Sequence, residues 1–136
     1  MPNHWLLKTE PNTYSYADLE RDRRTTWDGV TNALALKHLR AMKAGDLAFI
    51  YHTGDEKQIV GIAEVASDPY PDRRGGDPKL VVVDLQPRAR LKVPVTLAQV
   101  KARKEFAGFE LVRIGRLSVM PVSAARWKKL LVVSAT

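Results

Sequence analysis

Leu47-Ala48-Phe49-Ile50-Tyr51-His52, then Gly54-Asp55-Glu56-Lys57-Gln58, then Ile59-Val60-Gly61-Ile62-Ala63-Glu64-Val65 is the stretch whose reading decides the fold. Two runs rich in β-branched and aromatic residues flank a polar turn that contains glycine, the pattern of a β-hairpin. Gly61 within the second run marks a bulge or a close approach by another backbone. Immediately upstream, Lys43-Ala44-Gly45-Asp46 closes a helix, with Gly45 able to take the left-handed conformation of a helix end. The chain therefore passes from a helix directly into the hairpin.

Further upstream, Thr31 or Asn32 can cap that helix, which runs to about Met42 with Ala35, Leu39 and Met42 spaced to face a core. His4-Trp5-Leu6-Leu7-Lys8 reads as a short buried strand that stops at Thr9-Glu10-Pro11. Ser15-Tyr16-Ala17-Asp18 starts a short helix with a capping box, through about Asp22. Downstream, residues 68–78 hold Pro69, Pro71, Gly75, Gly76 and Pro78, a long loop and a candidate for binding. Leu80–Leu85 reads as a central strand. Thr96-x-x-Gln99 is a second capping box, for a helix to about Arg103. Phe106 and Phe109 flank Gly108 in a loop, and Leu111–Arg113 and Leu117–Val119 read as short strands. Ser123 caps a last helix through Trp127 to about Leu131. Locally pairing strands with helices between the runs argue for an α+β fold: a curved mixed sheet, able to form an open barrel, flanked by short helices.

The chain has 136 residues, so a single domain over residues 1–136 is expected. It contains no cysteine, which excludes a disulfide scaffold and thiolate zinc sites. The apolar run Trp5-Leu6-Leu7 is too short for a signal peptide and no run approaches membrane-spanning length, so a cytoplasmic protein without membrane contact is expected. The net charge of +7 is unevenly placed: residues 1–72 carry 8 Lys+Arg against 11 Asp+Glu, whereas residues 73–136 carry 14 against 4. An asymmetric basic half fits a partner bearing phosphates, and equally a solvated face that keeps the protein soluble.

Enzyme signatures are sparse. No phosphate-binding Gly-x-x-x-x-Gly-Lys loop, dinucleotide fingerprint or nucleophile elbow occurs. His4, His38 and His52 lack metal-ligand spacing, so neither a metal nor a cofactor is expected. His52 could line a pocket or merely end its strand. Glu10 and Asp28 could pair as acid and base in a hydrolase, although carboxylates near loop starts are more often turn and cap residues. The remaining stretch with chemistry is Thr25-Thr26-Trp27-Asp28-Gly29-Val30-Thr31-Asn32. Gly29 favours a turn, and a Trp there is either a plug for the core's rim or a platform for a flat ligand. Asp28 beside it could read a donor on a heterocycle.

Taken in order, Trp5-Leu6-Leu7-Lys8-Thr9-Glu10-Pro11, Tyr14-Ser15, Trp27-Asp28-Gly29-Val30, Asn32, Gly45-Asp46 and Tyr51-His52 closely resemble the EVE domain. The likeness continues through Val60–Val65, Tyr70-Pro71-Asp72, Asp77-Pro78, Val83-Asp84 and Arg116-Leu117-Ser118-Val119-x-Pro121-Val122. The resemblance implies a PUA-like fold, related to the YTH and ASCH domains. It also implies a pocket in a nucleic-acid-binding reader that accepts a modified base such as a methylated or hydroxymethylated cytosine. Lys8, Thr9, Glu10, Trp27 and Asp28 would be its walls, and Asn32, Tyr51, His52, Thr53 and Tyr70 would complete the mouth. Arg73, Arg74 and Arg116 are the candidate phosphate contacts. Stacking one base on an aromatic gives ~1–3 kcal/mol and extruding it costs a few, so hydrogen bonds must supply selectivity. Family members commonly read Trp-Asp-Gly-Val-Arg-Asn-Tyr-Gln-Ala-Arg where this chain has Thr31, Ala33, Leu34 and Leu36. By the resemblance, those arginines would grip phosphate or a flanking base; without them, either the basic C-terminal half compensates, or the alternative holds, a small-molecule-binding module with weak nucleic-acid contact.

Overall fold

The hairpin forms as its sequence requires. In the computed structural model, which describes residues 3–72 and 77–135, β3 (Leu47–His52) and β4 (Gln58–Val65) are antiparallel neighbours. The first strand, β1 (His4–Thr9), pairs with β3 in parallel, from His4↔Leu47 to Thr9↔His52. Its other edge takes β7 (Val119–Val122), antiparallel. On the far side of β4 lies β6 (Val81–Thr96), which also carries β2 (Thr25–Trp27) and the two-residue β5 (Tyr70–Pro71). The order β2-β6-β4-β3-β1-β7 is thus a mixed sheet with one parallel pair. It curls into the open half-barrel of an α+β, PUA-like fold.

Five α-helices accompany the sheet: α1 (Tyr16–Asp22), α2 (Ala33–Ala41), α3 (Leu97–Lys101), α4 (Glu110–Arg113) and α5 (Ala124–Ala135). Both capping boxes form. Ser15 accepts from the Asp18 N–H and Thr96 from the Gln99 N–H, each with the reciprocal bond. Asn32, not Thr31, caps α2. The core closes from both sides: Ala35, Leu36, Leu39 and Met42 are buried from the α2 side, and Trp127 of α5 stacks on Phe49 with ring centroids 3.9 Å apart.

Gly61 marks a bulge as expected, but the close approach there is by a side chain and not by another backbone. The register shifts beside it, and a Cβ there would lie 2.7 Å from the buried Tyr16 ring. Tyr16 thereby locks α1 onto β4, with its hydroxyl donating to the Ile62 carbonyl at 2.7 Å.

Four readings are corrected. Trp27 does not sit on a turn: Thr25, Thr26 and Trp27 are good strand formers and pair with Leu85, Asp84 and Val83, and the turn begins after them at Gly29, φ +77°. The strand expected at Leu80–Leu85 continues to Thr96, because extra residues on β6 beside Pro87 and around Pro94 are accommodated as irregularities in its pairing with β4. Leu111–Arg113 is helical, not a strand. Both edges of β1 are already occupied, and the Val112 and Arg113 N–H groups turn back to the Phe109 carbonyl. Leu117 is in a turn, its N–H bonded to the Ile114 carbonyl, so β7 begins only at Val119.

Candidate functional site

β1 and β2 are far apart in strand order, yet both line one open cleft of about 910 Å³. Only a curled sheet can bring them together. The end of β1 contributes Lys8 and Thr9, and the following turn adds Glu10, Thr13 and Tyr14. The opposite wall is Arg24 through Val30, with Asp84 of β6 behind it and Ser118 at the margin.

Most of these side chains are already held in place. The Thr9 hydroxyl donates to the Tyr14 carbonyl at 2.6 Å, and the Glu10 carboxylate accepts from the Asn12 N–H at 2.7 Å. Together these bonds fix the turn that carries Glu10 into the cleft. Lys8 donates from Nζ to the Gly115 carbonyl at 2.8 Å and lies 5.5 Å from the centroid of the Tyr51 ring. Burial lowers the Lys8 pKa from the ordinary lysine value.

Asp84 is the most heavily engaged group. One carboxylate oxygen accepts from the Tyr70 hydroxyl at 2.6 Å and from Thr26 at 3.2 Å. The other accepts from Arg24 Nε at 3.2 Å and Nη2 at 2.9 Å. Burial pushes this carboxyl's pKa upward, but the bonds from Tyr70, Arg24 and Thr26, with the Arg24 charge, outweigh it and the net shift is downward. The Tyr70 hydroxyl is raised, chiefly by its bond to Asp84.

Of the candidate base-pocket residues, Lys8, Thr9, Glu10, Trp27 and Asp28 line the cleft. Trp27 is not an open platform, however. It is 8% exposed, and Tyr14 packs edge-on to it at 6.3 Å. Against a Trp burial on the order of 250 Å², that leaves only ~20 Å² in contact with solvent.

Asn32, Tyr51, His52 and Thr53 are not among the lining residues. The Asn32 side chain accepts from the Ala35 N–H as a helix cap, and Tyr51 is buried beneath Lys8. Thr53 donates to the Thr9 carbonyl through both its N–H and its hydroxyl. His52 is 7% exposed. Its Nε2 accepts from the Tyr16 N–H at 3.0 Å, so the proton is on Nδ1, donated to Glu56 at 3.0 Å. The bond from the Tyr16 N–H docks α1 on β3. Tyr70 is not a lining residue and reaches the cleft through Asp84 and Thr26. Arg116 is exposed on the loop between α4 and β7, two residues before Ser118, while Arg73 and Arg74 lie outside the described residues.

Sequence reasoning missed Arg24, Thr26 and Asp84. The Val83-Asp84 pair carried no chemical signal, because its partners come from residues 14 to 60 positions away. Two basic residues of the second half are spent on ion pairs. Arg88 pairs with Glu64 and Arg90 with Glu20, and neither lines the cleft. Among the described residues no cluster of three or more metal-ligating side chains occurs, and no helix is long and apolar enough to cross a membrane.

Residues 3–133 match the EVE domain family. The chain belongs to that family. Human thymocyte nuclear protein 1 is 31% identical to it over 90% of this chain and 70% of its own length. A solved structure of a protein from Rhodopseudomonas palustris superposes on this EVE domain with a TM-score of 0.93 and 41% identity, covering 98% of this chain and 93% of that one. Human THYN1 protein, solved in complex with 5-methylcytosine containing DNA, has a TM-score of 0.93 and 28% identity over 98% of both chains. An ASCH protein from Zymomonas mobilis shares the fold alone, with a TM-score of 0.62 at 12% identity.

Proposed function

We propose that this EVE domain is a nucleic-acid-binding reader, not an enzyme, and that it accepts one modified base, such as a methylated cytosine, in the cleft between β1 and β2. The observation that carries the reading is the coincidence of two facts. The cleft lies beside Trp27-Asp28-Gly29 and Lys8-Thr9-Glu10, and human THYN1, of the same fold, was solved with 5-methylcytosine containing DNA. The cleft's volume is within the ~300–1,000 Å³ usual for clefts that bury flat ligands.

Because Trp27 exposes little of its ring, stacking contributes less than a free aromatic face would. Recognition of the base then rests on acceptors. Glu10 and Asp28 are cleft carboxylates, suited to the exocyclic amine of cytosine. The same lining also favours a second reading. It holds two cations, Lys8 and Arg24, against three carboxylates, Glu10, Asp28 and Asp84. One net negative charge disfavours phosphate in the cleft's interior, which suits a cationic or amine-bearing small molecule and leaves any strand contact to the exposed groups at its edge.

Titration against duplex and single-stranded oligonucleotides bearing cytosine, 5-methylcytosine or 5-hydroxymethylcytosine decides between them. A reader should prefer a modified oligonucleotide, with affinity falling ~0.9 log units per log unit of salt for each duplex phosphate neutralised. Absence of binding, or a flat salt response, removes the nucleic-acid reading.

A further inference from the structure

We propose that Arg24 is the phosphate contact of the cleft, a backbone clamp pre-set by Asp84, in place of the arginines that this chain lacks at positions 31 and 36. The inference rests on the reader function above and names the group that grips the strand beside the inserted base.

Among the described residues, Arg24 is the only arginine that lines the cleft. Its side chain is 55% exposed, whereas that of Asp84 is 18% exposed. The carboxylate is therefore the inner partner and the guanidinium the outer one. The fork is held by one of its edges: Nε and Nη2 both donate to the same Asp84 oxygen, at 3.2 and 2.9 Å. A guanidinium has five N–H groups and a second, end-on edge formed by Nη1 and Nη2, which still has the paired geometry that matches two phosphate oxygens.

Asp84 cannot readily swing away to follow Arg24, because Tyr70 and Thr26 hold its other oxygen. Thr26 is itself paired with Asp84 across β2 and β6. Arg24 is thus positioned by the sheet, and ordering it on binding costs less rotamer entropy than recruiting a free surface arginine. Asp84 lowers the local positive charge, so the contact is selective more than strong. One phosphodiester is its chemical match.

The test is fluorescence anisotropy of a 5-methylcytosine duplex with the whole chain, across a salt series, for wild type, Arg24→Gln and Asp84→Asn. The proposal expects Arg24→Gln to reduce the magnitude of the salt slope by ~0.9, the share of one phosphate, and to weaken binding about tenfold at low salt. Asp84→Asn should keep the wild-type slope while weakening binding, since the charge remains and its positioning is lost. A purely structural bond between β2 and β6 would leave the slope unchanged in both. Should Arg24→Gln fail to fold, the Arg24 Nε–H signal of wild type, followed by NMR as the duplex is added, replaces it. A bound-state shift supports the contact and an unmoved signal overturns it. Wild type that binds with an unchanged Arg24→Gln slope overturns this inference and leaves the reader function standing. Wild type that binds none of the duplexes removes both.

Discussion

Replacing Trp27 by alanine removes an indole that the structure places almost wholly inside. With 8% of the residue exposed, roughly 200 Å² of mostly apolar surface is withdrawn from water beyond what an alanine would bury, worth about 5 kcal/mol at ~25 cal/mol/Å². That figure is an upper bound, since the unfolded chain already shields part of the ring. Large-to-small substitutions of buried aromatics cost ~3–5 kcal/mol, and the lower half of that range applies here, because the cleft beside Trp27 lets water fill part of the void. A loss of ~3 kcal/mol is a large fraction of the ~5–15 kcal/mol stability of a domain. Urea denaturation followed by tryptophan fluorescence and far-UV circular dichroism reads it as a lower midpoint at an unchanged m-value. A loss under about 1 kcal/mol would refute the burial argument and restore the open platform as the reading of Trp27.

Gly61→Ala should destabilise by ~1–3 kcal/mol, because its Cβ would meet the enclosed Tyr16 ring at 2.7 Å. In a Tyr16→Leu background most of that penalty should disappear, and a double-mutant cycle showing no coupling would count against the contact. Asp84 has a folded-state pKa below its usual value, so its contribution is present above the unfolded pKa of ~3.9 and is lost as pH falls through the folded value. The urea midpoint should therefore drop on acidification below about pH 4, and Asp84→Asn should make that decline shallower; parallel profiles would contradict the assignment. Asp28→Asn keeps the shape of an exposed cleft residue and exchanges acceptors for an amide. It should change the ranking of modified bases more than the melting temperature, and an unchanged ranking with a lower melting temperature would make Asp28 structural.

Local signals were the legible ones. Ser15 with Asp18 and Thr96 with Gln99 are capping boxes in sequence and in space, because each is complete within one turn. The hairpin needs only thirteen further residues in local register, and Gly61 announces the Tyr16 contact without naming Tyr16. Leu80–Leu85 reads as a strand of ordinary length, but β6 runs on past Pro87 and Pro94, with irregular register against β4 at both places. Leu111-Val112-Arg113 shows the converse: three residues fit a helical turn or a strand equally well, and the absence of a vacant edge on β1 decides it.

The cleft was half legible for a physical reason that also bears on its use. Lys8-Thr9-Glu10 and Trp27-Asp28 could be named from the family resemblance, which each carries as a contiguous stretch, and in space each lies at the end of a strand. Asn32, His52 and Thr53 have equally suggestive identities, but their polar atoms are engaged in holding a helix cap, the α1 docking contact and the β1–β3 junction. A side chain whose donors and acceptors are satisfied by the fold offers little to a ligand, however close to the mouth it lies. Asp84 inverts that rule. Its carboxylate is saturated by three side chains, so it is poorly suited to read a base, yet that saturation fixes the orientation of Arg24, whose end-on edge stays available. On the reader function proposed above, the cleft's labour divides: Glu10 serves the base as an acceptor, and Asp84 acts at one remove, through the cation it holds.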